Sequence, residues 1–209
     1  MNLNENFVIT ISRDIGSGGR TVGRILAEKL NTRFCDKTLI EALEKKFDLT
    51  AQRIEELKGK KDNWLASLMR NVSPVPSAKA LGVAEEPYPE VTADEIYKAE
   101  SAILKELAEE GSCVITGRSG FHIFRDHPNH LSVYITASPA FRLQRVMRKQ
   151  GLSKEEAGTL IQKIDKAREN YIQRHTGTSR YNARNYDLVL KADGHTEEQL
   201  ADIILKYLA

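Results

Sequence analysis

The side chains and turns that bear on chemistry gather first between Arg13 and Thr21. The chain there reads Ile9-Thr10-Ile11-Ser12-Arg13-Asp14-Ile15-Gly16-Ser17-Gly18-Gly19-Arg20-Thr21. Glycine accepts positive φ and lets backbone N–H groups approach a ligand closely. Amides curled into a nest bind polyphosphate, and a helix N-terminus adds further donors and the positive end of its dipole. The phosphate-loop pattern is G-x-x-x-x-G-K-[ST]. In that register Gly19 and Thr21 match, Asp14 stands where the first glycine belongs, and Arg20 replaces lysine. Arginine keeps the charge but offers a planar fork rather than a compact point charge. Gly16, Ser17, Gly18, Gly19, Arg20 and Thr21 are expected to hold phosphate, with the Thr21 hydroxyl meeting Mg²⁺. The alternative is an ordinary glycine-rich turn between a strand and a helix.

Such a loop needs a strand before it and a helix after it. The β-branched run Phe7 to Ser12 reads as the strand, and Val22, Ile25, Leu26 and Leu30 recur at helical spacing. Further short apolar strands are expected at Arg33–Cys35, Ser112–Thr116, Leu131–Thr136 and Leu188–Leu190. Helices are expected between them: about 37–46, 51–58, 92–110, one opened by Ser138-Pro139, one capped at Ser153 and one starting at Thr196. Thr92 with Glu95 makes a capping box. Strands alternating with helices imply a parallel sheet covered on both faces. Ligands bind such sheets at the carboxyl ends of the strands, where the glycine loop, Asp36 and Arg118 all fall. Two proline pairs, at Ser73-Pro74-Val75-Pro76 and Glu86-Pro87-Tyr88-Pro89, mark 59–90 as a loop or lid-like insert.

A length of 209 residues suits one α/β domain with an insert. The formal net charge of +2 gives no argument for a nucleic-acid partner, although basic residues concentrate between Arg142 and Arg184. Apart from Tyr171 and Tyr181 those arginines lack interleaved stacking aromatics, so RNA binding is a distant third reading. Cys35 and Cys113 lie in apolar runs and read as buried thiols in a reducing compartment. The chain has no run of 18 apolar residues and no basic-then-apolar leader, so a soluble, cytoplasmic protein with no membrane partner is expected. No His/Cys/Asp spacing suggests a structural metal.

Five pieces in order resemble the cytidylate kinase-like proteins, within the nucleoside monophosphate kinases. They are Ile11 to Arg20, Phe34-Cys35-Asp36-Lys37, Ile115-Thr116-Gly117-Arg118, Asp165-Lys166-Ala167-Arg168 and Tyr186 to Leu190. The resemblance implies a three-layer α/β/α P-loop NTPase fold with a five-stranded parallel sheet. It also implies a nucleoside-monophosphate-binding insert at about 37–100 and an arginine-bearing lid at about 150–184. The implied activity is transfer of the ATP γ-phosphoryl group to CMP or dCMP. The chain departs from the pattern at Asp14, at Arg20, at Asp36-Lys37-Thr38 and at Ser119, where the family carries Asp.

On that resemblance Arg20, Arg118, Arg168 and Arg174 are the candidate catalytic residues, with Arg118 gripping the acceptor phosphate. A strand-end arginine paired with a carboxylate is the plainer alternative for Arg118. Arg168 and Arg174 lie six residues apart, about 600° around a helix, and share no face unless the helix breaks. Arg142 and Arg145 would stack on the donor adenine, or else form a solvated helix face. Asp36 and Asp165 are the candidate acceptor contacts. Asp36 serves equally as a helix N-cap or as a Mg²⁺ ligand through water, and Asp165 as an i,i+3 partner of Arg168. The rival readings are a kinase for another small molecule and a non-catalytic nucleotide-binding regulator.

Overall fold

A computed structural model describes residues 1–35, 37–48, 50, 54 and 91–208. The expected helix at 51–58, apart from Ile54, the insert at 59–90 and Asp36 lie outside those residues.

The strands are β1 (Val8–Arg13), β2 (Arg33–Cys35), β3 (Cys113–Thr116), β4 (His130–Thr136) and β5 (Leu188–Lys191). They pair in the order β2-β3-β1-β4-β5, all parallel. In the register of the central pairs, Ile9 faces Val114 on one side and Leu131 on the other. The five short apolar runs of the sequence thus make one sheet, and β1 with its glycine loop lies at its centre.

Helices follow the strands: α1 (Gly19–Lys29), α2 (Lys37–Phe47), α3 (Ala93–Glu109), α4 (Gly120–Ile123), α5 (Pro139–Gln150), α6 (Lys154–Thr176) and α7 (Glu197–Leu208). Alternation along each strand divides the core into two layers. Ile9, Ile11, Val114, Val133 and Ile135 pack with Val22 and Leu26 of α1 and with Leu200 and Ile204 of α7. On the other face Val8, Cys113 and Ile115 meet Leu43 of α2 and Ile96 and Leu104 of α3. The architecture is the expected three-layer α/β/α arrangement. Both cysteines are buried thiols within the second layer.

The helix starts read from the sequence carry their caps. Thr92 accepts from the Glu95 amide at 3.2 Å while the Glu95 carboxylate accepts from the Thr92 amide at 2.8 Å. Ser153 and Glu156 repeat the device at the start of α6. The sequence pattern gave no sign of α4, a single turn after Gly117. Among the described residues no helix is long and apolar enough to cross a membrane.

Candidate active site

The loop between β1 and α1 is wound so that the carbonyls of Arg13, Asp14, Ile15 and Gly18 are engaged by protein donors. The Asp14 carbonyl accepts from the Ser17 amide and hydroxyl, at 3.3 and 2.9 Å. The Ile15 carbonyl accepts from Arg142 Nε at 2.8 Å, and the Gly18 carbonyl from the Thr21 amide at 2.9 Å. The Arg13 carbonyl accepts from Arg180 Nη2 at 2.5 Å and from Arg168 Nη1 at 3.4 Å. Among the described residues, the amides of Gly16, Gly18 and Gly19 donate to no protein acceptor. Gly16 holds φ +84°, and a Cβ there would lie 2.8 Å from the Arg142 carbonyl, so only glycine fits. The result is a concave set of amides at a helix N-terminus, the geometry of an anion nest.

Asp14 explains its own departure from the loop pattern. Its side chain is 4% exposed and accepts from the Tyr134 hydroxyl at 2.7 Å and from Thr136 Oγ1 at 2.8 Å, both on β4. Arg180 Nη2 stands 3.4 Å from the same carboxylate. Burial, with the Asp14 charge added to it, pushes the Tyr134 phenol far above its ordinary range, so this hydroxyl stays a donor. Asp14 is therefore a buried anchor of the loop. Arg20 is exposed, and Thr21 is half-buried beside it in the loop cleft.

β3 ends in three consecutive residues of positive φ: Gly117 at +75°, Arg118 at +59° and Ser119 at +55°. A non-glycine residue held there costs on the order of 1 kcal/mol or more, and such strain collects at functional sites. A Cβ on Gly117 would fall on the Arg13 guanidinium, which passes over this turn. Arg118 Nη1 donates at 3.1 Å to Glu100 of α3, a carboxylate with 0% exposure. The Tyr171 hydroxyl of α6 donates to the other Glu100 oxygen at 2.8 Å. Arg118 is thus both the carboxylate-paired arginine of the plainer reading and a lining residue of a cavity.

Two hollows meet at the carboxyl ends of the strands. One, of about 130 Å³, is lined by Ser12, Arg13, Arg118, Ser119, Tyr171 and Arg180 among others. The other, of about 310 Å³, follows the glycine loop past Thr21 to Arg145 and Lys149. Arg13 and Arg168 line both. Two arginine side chains are thus shared by the two hollows.

Several expected residues have other surroundings than the sequence implied. Arg142 and Arg145 do not form a solvated face, each being 11% exposed and ion-paired. Arg142 Nη2 pairs with Asp165 at 2.5 Å, and Arg145 pairs with Glu197. Asp165 takes Arg142 rather than its i,i+3 neighbour Arg168 as ion-pair partner. α6 runs unbroken through Thr176, so Arg168 and Arg174 cannot both close over one site. Arg168 lines the cavities, while Arg174 Nε pairs with Asp94 of α3 at 3.3 Å. Two lining arginines escaped the sequence reading. Arg13 was readable as the cation that ends β1 just ahead of the loop. Arg180, 2% exposed and 5.0 Å from the Tyr181 ring centroid, sits in an aperiodic segment with no local signal.

A parallel sheet in this order, with a glycine loop at the end of its central strand, defines the P-loop kinase class of fold. The chain belongs to the cytidylate kinase-like family, whose model matches residues 8–193. It is similar to the crystal structure of an uncharacterized protein from Eubacterium ventriosum, at 23% identity and a TM-score of 0.67, covering 97% of this chain and 98% of that one. Shikimate kinase from Bacteroides thetaiotaomicron matches at 17% identity and a TM-score of 0.56, covering 97% and 98%. Shikimate kinase from Acinetobacter baumannii, in complex with shikimate, matches at 20% identity and a TM-score of 0.50, covering 98% and 94%. No curated protein matches the chain. Family membership supports a phosphotransferase; the structural likenesses show the fold.

Proposed function

We propose that the protein is an ATP-dependent kinase that phosphorylates a small phosphate-bearing acceptor, with CMP or dCMP the leading candidates. The observation that carries the reading is the meeting of the two hollows at Arg13 and Arg168. Phosphoryl transfer asks mainly for positioning and for positive charge around the moving group. In this reading the amides of Gly16, Gly18 and Gly19 receive the donor's phosphates, and Arg20 replaces the usual lysine at their edge. Arg118, held by Glu100, binds the acceptor's phosphate, and Arg13 and Arg168 neutralise charge between the two. The donor set fits a magnesium ion that keeps most of its water. Thr21 offers one hydroxyl in the loop cleft, and the described residues contain no cluster of three His, Cys, Asp or Glu side chains able to cage a metal. Thr21 and the donor's phosphates would hold the ion, which supplies charge neutralisation when bound.

The strained turn at Gly117 to Ser119 favours an enzyme over a regulator that only binds nucleotide, since binding at the loop needs no arginine aimed across the cavity. A coupled ADP-release assay with ATP and Mg²⁺, run across the nucleoside monophosphates and shikimate, tests the reading. Turnover with CMP or dCMP is the expected result. Turnover with shikimate alone would move the acceptor to a second class on the same fold. ATP binding without turnover of any acceptor would overturn the kinase reading.

A further inference from the structure

We propose that Asp165 is a positioning residue for the phosphate loop, acting through Arg142, which it hydrogen-bonds, and through the charge of Arg180, which it faces. The proposal rests on the nucleotide-binding reading above and gives Asp165 a different role from acceptor binding. One Asp165 oxygen hydrogen-bonds Arg142 Nη2 at 2.5 Å, and the other faces Arg180 Nη1 at 3.7 Å, an ionic contact without a hydrogen bond. Each arginine also donates to the loop. Arg142 Nε holds the Ile15 carbonyl at 2.8 Å, and Arg180 Nη2 holds the Arg13 carbonyl at 2.5 Å. Those carbonyls flank Asp14, so the loop is gripped on both sides of its buried anchor.

A guanidinium is a rigid plane, and fixing one edge on a carboxylate aims the other. Arg142 comes from α5, Arg180 from the segment after α6, and Asp165 from α6 itself. The side chains are 11%, 2% and 17% exposed, so the arrangement is poorly screened. Asp14, Arg180, Asp165 and Arg142 form a chain of alternating charge in which Asp165 alone separates the two cations. Without its charge the arginines repel each other, release the carbonyls, and leave the amides of Gly16 to Gly19 without a fixed orientation.

The test is calorimetric binding of two probes to the full chain: the non-hydrolysable analogue AMP-PNP, and tripolyphosphate, which has no base to read. Asp165→Asn is expected to weaken both by about tenfold, while Asp165→Glu recovers most of the loss and the acceptor KM stays within about twofold. Arg142→Gln should reproduce the loss for tripolyphosphate, and it reads the arrangement should Asp165→Asn not fold. The double variant should lose no more than the worse single one, because both act through one unit. Equal probe binding by wild type and Asp165→Asn overturns this proposal alone, as does a loss confined to the acceptor. A wild-type chain that binds neither probe overturns the nucleotide reading and this proposal together.

Discussion

The Tyr134 hydroxyl donates to the Asp14 carboxylate at 2.7 Å, so the fourth strand holds the residue at the head of the glycine loop. Asp14→Gly would bring the loop closer to the phosphate-loop pattern. It should nevertheless harm the protein. Removing the carboxylate leaves Tyr134 and Thr136 without their shared acceptor and Arg180 with only the more distant Asp165 for a counter-charge, and breaking a buried ion pair costs about 3 kcal/mol. Urea unfolding should show that loss of stability, and AMP-PNP binding should be no tighter than wild type. Undiminished stability, or tighter binding, would show that Asp14 is not an anchor.

Glu100 holds Arg118 from behind in the cavity proposed to take the acceptor. Glu100→Gln keeps the shape and removes the charge that orients the guanidinium. Steady-state kinetics should show the acceptor KM raised about tenfold, near the worth of one charge-assisted hydrogen bond, with the ATP KM little changed. Arg118→Ala should lower kcat/KM for the acceptor further. Unchanged kinetics in Arg118→Ala would remove that residue from the site.

His130 carries a pH dependence unrelated to the chemistry. Burial pushes its imidazole down to about 4 from an ordinary 6.5, with Asp187 pulling weakly upward and His127 downward. The unfolded chain therefore takes up a proton below pH 6.5 that the folded chain refuses until about pH 4. Stability is complete above pH 6.5 and falls as pH drops through that window. Thermal unfolding measured at intervals from pH 7 to pH 4 should show this fall, and His130→Gln should flatten it. A His130→Gln profile parallel to wild type would assign the slope to other groups.

The parts of the site that local spacing encodes were legible in the sequence. β-branched runs marked the strands, three glycines marked the nest, and Thr92 and Ser153 marked helix starts. What escaped depends on partners far along the chain. Asp14 read as an eroded glycine because Tyr134 and Thr136 lie 120 and 122 residues away. The ion pair of Arg145 was not legible because its partner Glu197 is 52 residues on. Arg180 had no periodic context at all, and its role comes from a fold that returns it across 166 residues to Asp14. Buried charges are set by pairing across elements, and no window of neighbouring residues carries that information.

The continuity of α6 has a mechanical consequence. Its 23 residues form a rod about 35 Å long. Asp165 near its middle engages the arginines behind the glycine loop, Tyr171 reaches the carboxylate behind Arg118, and Arg174 meets Asp94 on α3. A rod without a hinge transmits displacement as a lever does. Any shift of Asp165 along the axis of α6 must also carry Tyr171 relative to Glu100, so the contacts behind the two hollows ride on one rigid element.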